Sequence, residues 1–165
     1  VYKKYHGAQL TELGRKTALN IIRKHRLWEV FLVEKLNFKW DEVHDIAEQL
    51  EHIQSEKLTN QLDKFLDFPT HDPHGDPIPN TAGFIKFTPK LKLSDLNTGE
   101  SGKFIGVKDS SSTFLKYLDK IKISLGCNIK VLHQEDFDQS LHIGLDDTNL
   151  TISIKSASNL YITKI

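Results

Sequence analysis

The 165-residue chain contains no methionine and a single cysteine. With one thiol, Cys127 has no internal disulfide partner, which excludes a disulfide-stapled secreted scaffold and makes a reducing cytoplasm the default compartment. With no methionine the native start residue is missing, so the chain is expected to be processed or a piece of something longer. Excess charge is also lacking. The 22 basic and 22 acidic residues cancel, which excludes a molecule-wide nucleic-acid polycation but leaves room for a local basic surface. No apolar run approaches the ~20 residues that span a bilayer, and no charged-then-apolar leader opens the chain, so no membrane partner is expected. Enzyme signatures are missing as well: there is no G-x-S-x-G, Gly-rich phosphate loop, C-x-x-C or H-E-x-x-H. "EQLEH" (48–52) approaches the inverted zinc-hydrolase motif H-x-x-E-H but puts Glu48 where a histidine ligand is required. The chain is expected not to be an enzyme.

What is present is ordinary for a globular protein. The hydrophobic content is 38%, enough for one domain or two small ones. "VYKKYHGAQLT" reads as the tail of a β-hairpin turning at His6-Gly7. Thr11 is an expected N-cap for "ELGRKTALNIIRKH", and "LWEVFLVEKLN" continues helical, with Leu27, Val30, Phe31 and Leu36 available to bury and Trp28 for core or interface. Asp41 is expected to cap the next helix and Ser55 the one after it, whose Leu58, Leu62, Phe65 and Leu66 share a face. "DFPTHDPHGDPIPN" (67–80) holds four of the five prolines and ends the helical region. Beyond it, "SSTFLKYLDKI" predicts one helix, and "NIKVLHQ", "QSLHIGLDD", "LTISIKS" and "LYITKI" predict short strands of a small barrel-like β domain. The expected class is α+β.

The stretch "DEVHDIAEQLEHI" (41–53) puts His44, Glu48, Glu51 and His52 within nine residues. On a continuous helix with His44 at zero, Glu48 falls at about 40°, Glu51 at about −20° and His52 at about 80°, an arc of roughly 100°. A charged stripe is ordinarily a solvated face. Here, however, two acids and an imidazole repel each other unless a cation sits among them. A second pair, His25 and Glu29, is spaced four apart, and His71, Asp72 and His74 cluster in the connector. Mixed imidazole and carboxylate ligands suit first-row divalent ions such as Mn, Fe or Zn. Cys127, His133 and His142 read as structural or surface residues.

"LTELGRKTALNIIRKHRLWEVFLVEKL", "DEVHDIAEQLEHIQSEKLTNQLDKFL" and "PTHDPHGDPIP" together resemble the metal-dependent transcriptional repressors of the diphtheria toxin repressor and manganese transport regulator family. R-K-H-R-L-x-E, V-H-x-x-A-x-x-x-E-H and P-H-G-x-P-I-P fall in order over residues 1 to about 80. The second half is similar to the SH3-like, FeoA-like domain of many members, through "LSDLNTGESGKFIGV". The resemblance implies the end of a winged-helix wing at 1–11, an all-helical metal-binding and dimerisation domain at 12–80 and an SH3-like domain at 81–165. It implies a homodimer that binds operator DNA to control metal-uptake genes, with most of the winged helix lying before Val1.

The same resemblance assigns Glu48, Glu51 and His52 to a primary metal site, and His25, Glu29 and His44 to ancillary positions. Asp72, His74 and Asp109 are implied for a further site with Glu29, while Ser110 and Thr113 stand near where the family's SH3-like Glu and Gln ligands are replaced. Lys3 and Lys4 are implied as phosphate contacts. Glu48 matches the manganese-sensing branch, where the iron-sensing branch has cysteine, so Mn(II) is favoured, with Fe(II) next. The alternative is a non-regulatory metal-binding or partner-docking dimer module.

Overall fold

The computed structural model describes residues 2–3, 7–145 and 148–165, with side chains from residue 9 onward within those ranges. Lys4 and the Lys3 side chain, expected on a DNA-contacting hairpin, lie outside the described residues. The chain divides into two compact units, residues 1–87 and 88–165.

In the first unit, β1 (Tyr2–Lys3) pairs antiparallel with β2 (Gly7–Ala8). The two helical segments expected from the sequence are one uninterrupted helix, α1 (Glu12–Leu36), since nothing between them breaks it. The Thr11 hydroxyl accepts the Gly14 N–H at 3.0 Å as its N-cap. Asn37, left-handed at φ 57°, ends it, a role asparagine tolerates because its short polar side chain fits that region. The next helix, α2, covers only His44–Leu50, preceded by Val43 with no side-chain cap. Asp41 does not serve as its cap: it lies in a turn two residues too early. The third helix, α3 (Glu56–Phe65), is capped by the Ser55 hydroxyl accepting from Leu58. It stops before the first proline of the connector, because Asp67 and Phe68 turn left-handed and the Phe68 N–H closes back onto the Asp63 carbonyl at 2.9 Å.

Leu27 and Val30 of α1 pack with Leu62 and Leu66 of α3 and with Ile78 of the connector. Leu32 packs with Val43 and Ala47 around α2. Trp28 is half-buried against both groups and meets Phe31 edge-on. Leu36, Leu58 and Phe65, expected to be available for burial, remain exposed in the single chain. A buried ion pair, Arg23 to Asp63 at 2.6 Å, ties α1 to α3.

The second unit is a six-stranded antiparallel sheet ordered β3-β8-β4-β5-β6-β7. Its strands are β3 (Leu91–Lys92), β4 (Ser101–Val107), β5 (Asn128–Gln134), β6 (Leu141–Leu145), β7 (Thr148–Ile152) and β8 (Leu160–Lys164). Helix α4 (Ser112–Lys120) is capped by Ser111 and buries Leu115 and Leu118. "LTISIKS" is not all strand: Ser153 caps a short helix, α5 (Ile154–Ala157), so the described residues of this unit carry an α-helix beyond the one expected, and a 3-10 turn at Leu93–Asp95. Phe104, Ile129, Ile143, Leu160 and Ile162 form its fully buried centre. The molecule is α+β, with an SH3-like second unit.

Gly102 marks the tightest approach in that sheet, where a Cβ would lie 2.8 Å from Ile162 Cδ1 and 3.1 Å from the Thr163 carbonyl. Gly102→Ala is expected to overpack the sheet by about 1–3 kcal/mol. Scanning calorimetry should show the second unit melting earlier while the helical unit is unaffected.

Candidate metal centre

The centre is organised by Glu29, whose carboxylate is buried in the middle of α1 with its side chain only 3% exposed. One turn earlier, His25 Nε2 lies 3.1 Å from Glu29 Oε1. Helix α2 begins at His44, which brings His44 Nδ1 to 3.2 Å from His25 Nε2 and 3.6 Å from Glu29 Oε1. From the connector, His74 Nδ1 reaches the same oxygen at 3.7 Å. Three imidazoles therefore surround one carboxylate oxygen.

The tautomers follow from the outer partners. Glu51, just past the end of α2, accepts from His25 Nδ1 at 2.7 Å, and the Trp40 carbonyl accepts from His74 Nε2 at 2.8 Å, with the two rings stacked. A neutral imidazole that donates through one nitrogen carries a lone pair on the other. In its neutral form His25 thus turns a lone pair toward Glu29 and His44, and His74 turns one toward Glu29. An added proton or a metal ion makes the contacts of His25 and His74 with Glu29 favourable, whereas a neutral His44 can donate its own Nδ1–H to His25. Carboxylate or carbonyl partners behind the imidazoles orient ligands at metal sites in the same way.

Charge follows the same geometry. Burial opposes ionisation of Glu29, but hydrogen bonds from His25 and His74 outweigh it and hold the carboxyl at about 2. Burial disfavours protonation of His25, yet Glu29 and Glu51 raise it above its ordinary 6.5. His74 is raised likewise, against burial, by Glu29 and the Trp40 carbonyl. Burial, then the charge of Glu29, push Asp72 up to about 6.

Among the described residues, two groups place three ligand atoms within 4.8 Å of one another: His25, Glu29 and His44, and Glu29, Asp72 and His74. A first-row ion with bonds of about 2.1 Å sets neighbouring ligands roughly 3.0–3.5 Å apart, so the first group's spacings fit a divalent ion. In the second group Asp72 is already engaged. Its Oδ1 accepts the His74 and Asp76 N–H groups at 2.8 and 3.0 Å, and Arg26 Nε stands 3.3 Å from its Oδ2. Arg26 also bonds the Pro77 carbonyl, fastening the connector to α1.

Glu48, Glu51 and His52, which the resemblance joins in a primary site, stand in neither group. The helical arc drawn through them ends at Leu50. Glu48 points outward, Glu51 is committed to His25, and His52 is exposed in the following turn, which the buried Lys24 ammonium holds through the Ile53 carbonyl at 3.3 Å. His71 bonds Thr70 and stays outside both groups. Asp109 belongs to the second unit, where its carboxylate accepts the Ser111 N–H at 2.9 Å. Sequence reasoning missed Trp40, Arg26 and Lys24, since a backbone carbonyl and long-range anchors leave no local pattern.

Comparison with known proteins places this geometry in context. Residues 11–80 match the iron dependent repressor, metal binding and dimerisation domain, and residues 91–164 match the FeoA domain. The chain is 42% identical over 74 residues to a probable metal transport system membrane protein of Chlamydia trachomatis, covering 45% of this chain and 16% of that one. It is 46% identical over 71 residues to the iron-dependent repressor IdeR of Mycobacterium tuberculosis, covering 43% of this chain and 31% of that protein. The chain thus spans less than a third of the length of either relative. A manganese-dependent transcriptional repressor solved in complex with manganese superposes with a TM-score of 0.89 at 35% identity, covering 98% of this chain and 77% of that one.

Two outcomes follow from the site. Glu29→Gln should weaken Mn(II) uptake in calorimetry by more than about 100-fold, whereas Glu51→Gln, which weakens the acceptor behind His25, should cost about 10–100-fold. Because His25 and His74 are raised above 6.5, their ion pairs with Glu29 are fully present below that pH and fade as pH rises through the raised values. Metal must displace those protons. Affinity should therefore climb across that window, and calorimetry in buffers of different ionisation enthalpy should register protons released near pH 6.5 and fewer well above it.

Proposed function

The chain belongs to the iron-dependent and diphtheria toxin repressor family, and on that premise we propose that it serves a metal-dependent transcriptional repressor that senses Mn(II), with Fe(II) next, and controls metal-uptake genes. The observation that carries this reading is Glu29 Oε1 ringed by His25, His44 and His74. When bound, the ion supplies positive charge among these lone pairs. Glu29 and His25 sit on the rigid middle of α1, His44 on the first turn of α2, and His74 on the connector. Convergence of these side chains draws three segments together, and without a cation the same groups hold them less tightly. A coupling of about 1–3 kcal/mol is the usual size of such an effect. Glu48, Glu51 and His52 are proposed to extend the centre once Glu51 and the exposed His52 turn, and Asp72 and His74 remain proposed for a further site with Glu29. The donor set is imidazole and carboxylate with no thiolate, which suits first-row divalent ions, and the carboxylates Glu48 and Glu51 would add the harder oxygen donors that manganese takes.

A homodimer acting on operator DNA through a winged-helix domain is the proposed assembly, in the cytoplasm. Leu58, Phe65 and Phe68 are exposed apolar side chains on and just beyond α3, an area that suits burial against a second copy. A second reading, a non-regulatory metal-binding or docking module, is favoured by the 74-residue similarity to a probable metal transport system membrane protein.

Anaerobic titration of Mn(II) and Fe(II) should reveal saturable binding to the wild type that a Glu29→Gln, His44→Ala double variant loses; identical isotherms for the two proteins would remove the sensor. Phe65→Glu should convert a dimer to a monomer in sedimentation velocity. Deleting the gene should raise uptake-gene transcripts in manganese-replete cells, whereas unchanged transcripts would favour the docking module.

A further inference from the structure

A separate histidine cluster lies on the second unit. Val131 is fully buried, and strict alternation would send His133, two residues on, to the same inner face. A register shift between Val131 and His133 breaks that alternation and sets His133 opposite His142 on β6. His133 is exposed as a result, and the two rings stack at 5.9 Å. Bulges commonly re-aim a side chain in this way.

Both rings turn toward one acid. His142 Nε2 lies 3.0 Å and His133 Nε2 3.7 Å from Glu135 Oε1. On β7, Thr151 Oγ1 pairs with His142 Nδ1 at 2.8 Å. The β5–β6 turn that carries Glu135 is closed by hydrogen bonds between Glu135 N–H and the Ser140 carbonyl and between Gln139 N–H and the Glu135 carbonyl, each 2.9 Å. Ser140, above all, and His142 keep Asp138 of the same turn ionised, which adds negative charge beside the rings.

We propose that His133, His142 and Glu135 form a surface site for an imidazole-preferring divalent ion such as Zn(II), independent of the helical centre. Two imidazoles and one carboxylate are a donor set that suits Zn(II), Cu(II) or Ni(II). The side chains of His133, His142 and Glu135 are 60%, 42% and 47% exposed, and ligation would need rotation of these side chains, since their three donor atoms do not all lie within 4.8 Å of one another. Thr151 would accept the Nδ1–H of His142, leaving Nε2 free to ligate.

The test uses the whole chain, with Zn(II) alone as the probe. Equilibrium dialysis should find one Zn(II) fewer per chain in His133→Ala, His142→Ala than in the wild type, while Glu29→Gln keeps that ion. The imidazole resonances of His133 and His142 should shift together and saturate with Zn(II). Thr151→Val, which removes only the outer partner, should weaken this site about tenfold. Equal Zn(II) stoichiometry in wild type and double variant, or histidine resonances that respond to pH and not to Zn(II), would overturn the site. An unchanged melting temperature for the double variant excludes misfolding as the cause of a lost ion.

Discussion

A carboxylate sealed inside a helical bundle has to be neutralised locally, and Glu29 sets this requirement for the whole first unit. Burial alone would drive it to the protonated form. His25 and His74, facing its Oε1, hold it ionised instead. The need for positive charge at this point is fixed, but its carrier is not: protons on His25 and His74 can supply it, and so can a divalent ion. The protonated and metal-bound states are therefore two solutions to one electrostatic problem, and exchanging one for the other is the chemistry available to the site.

The same helix also holds the site together from its flanks. Arg23 grips Asp63 on α3, Lys24 grips the turn after α2 through the Ile53 carbonyl, and Arg26 grips the connector through Asp72 and the Pro77 carbonyl. These three cations stand next to His25 in sequence, yet each secures a different segment. Helix α1 thus supplies two of the converging side chains and also anchors the pieces that bring the others. The anchors are buried or half-buried, so losing one partner would leave an uncompensated group, which costs far more than breaking a surface pair.

Much of this was legible in the residues. Thr11 and Ser55 announce helix starts because their hydroxyls satisfy free N–H groups, and the four-residue spacing of His25 and Glu29 survives because α1 runs unbroken through both. Periodicity failed where a helix ended. The angular arc through His44, Glu48, Glu51 and His52 assumes a helix reaching residue 52, but α2 stops at Leu50. His44 at the start of α2 and Glu51 just past its end meet His25 instead, a distance relation that no local window contains. In the second unit a bulge resets the alternation before His133, and nothing in "NIKVLHQ" marks it.

The link between α1 and α2 adds a constraint of another kind. Its left-handed Asn37 turns the chain back, and its Trp40 carbonyl receives His74. A main-chain carbonyl exists whatever residue occupies the position, so natural variation can replace many side chains in this exposed loop. Adding or deleting a single residue, however, would shift that carbonyl out of register. Selection should therefore tolerate changes of composition along this segment while holding its length constant.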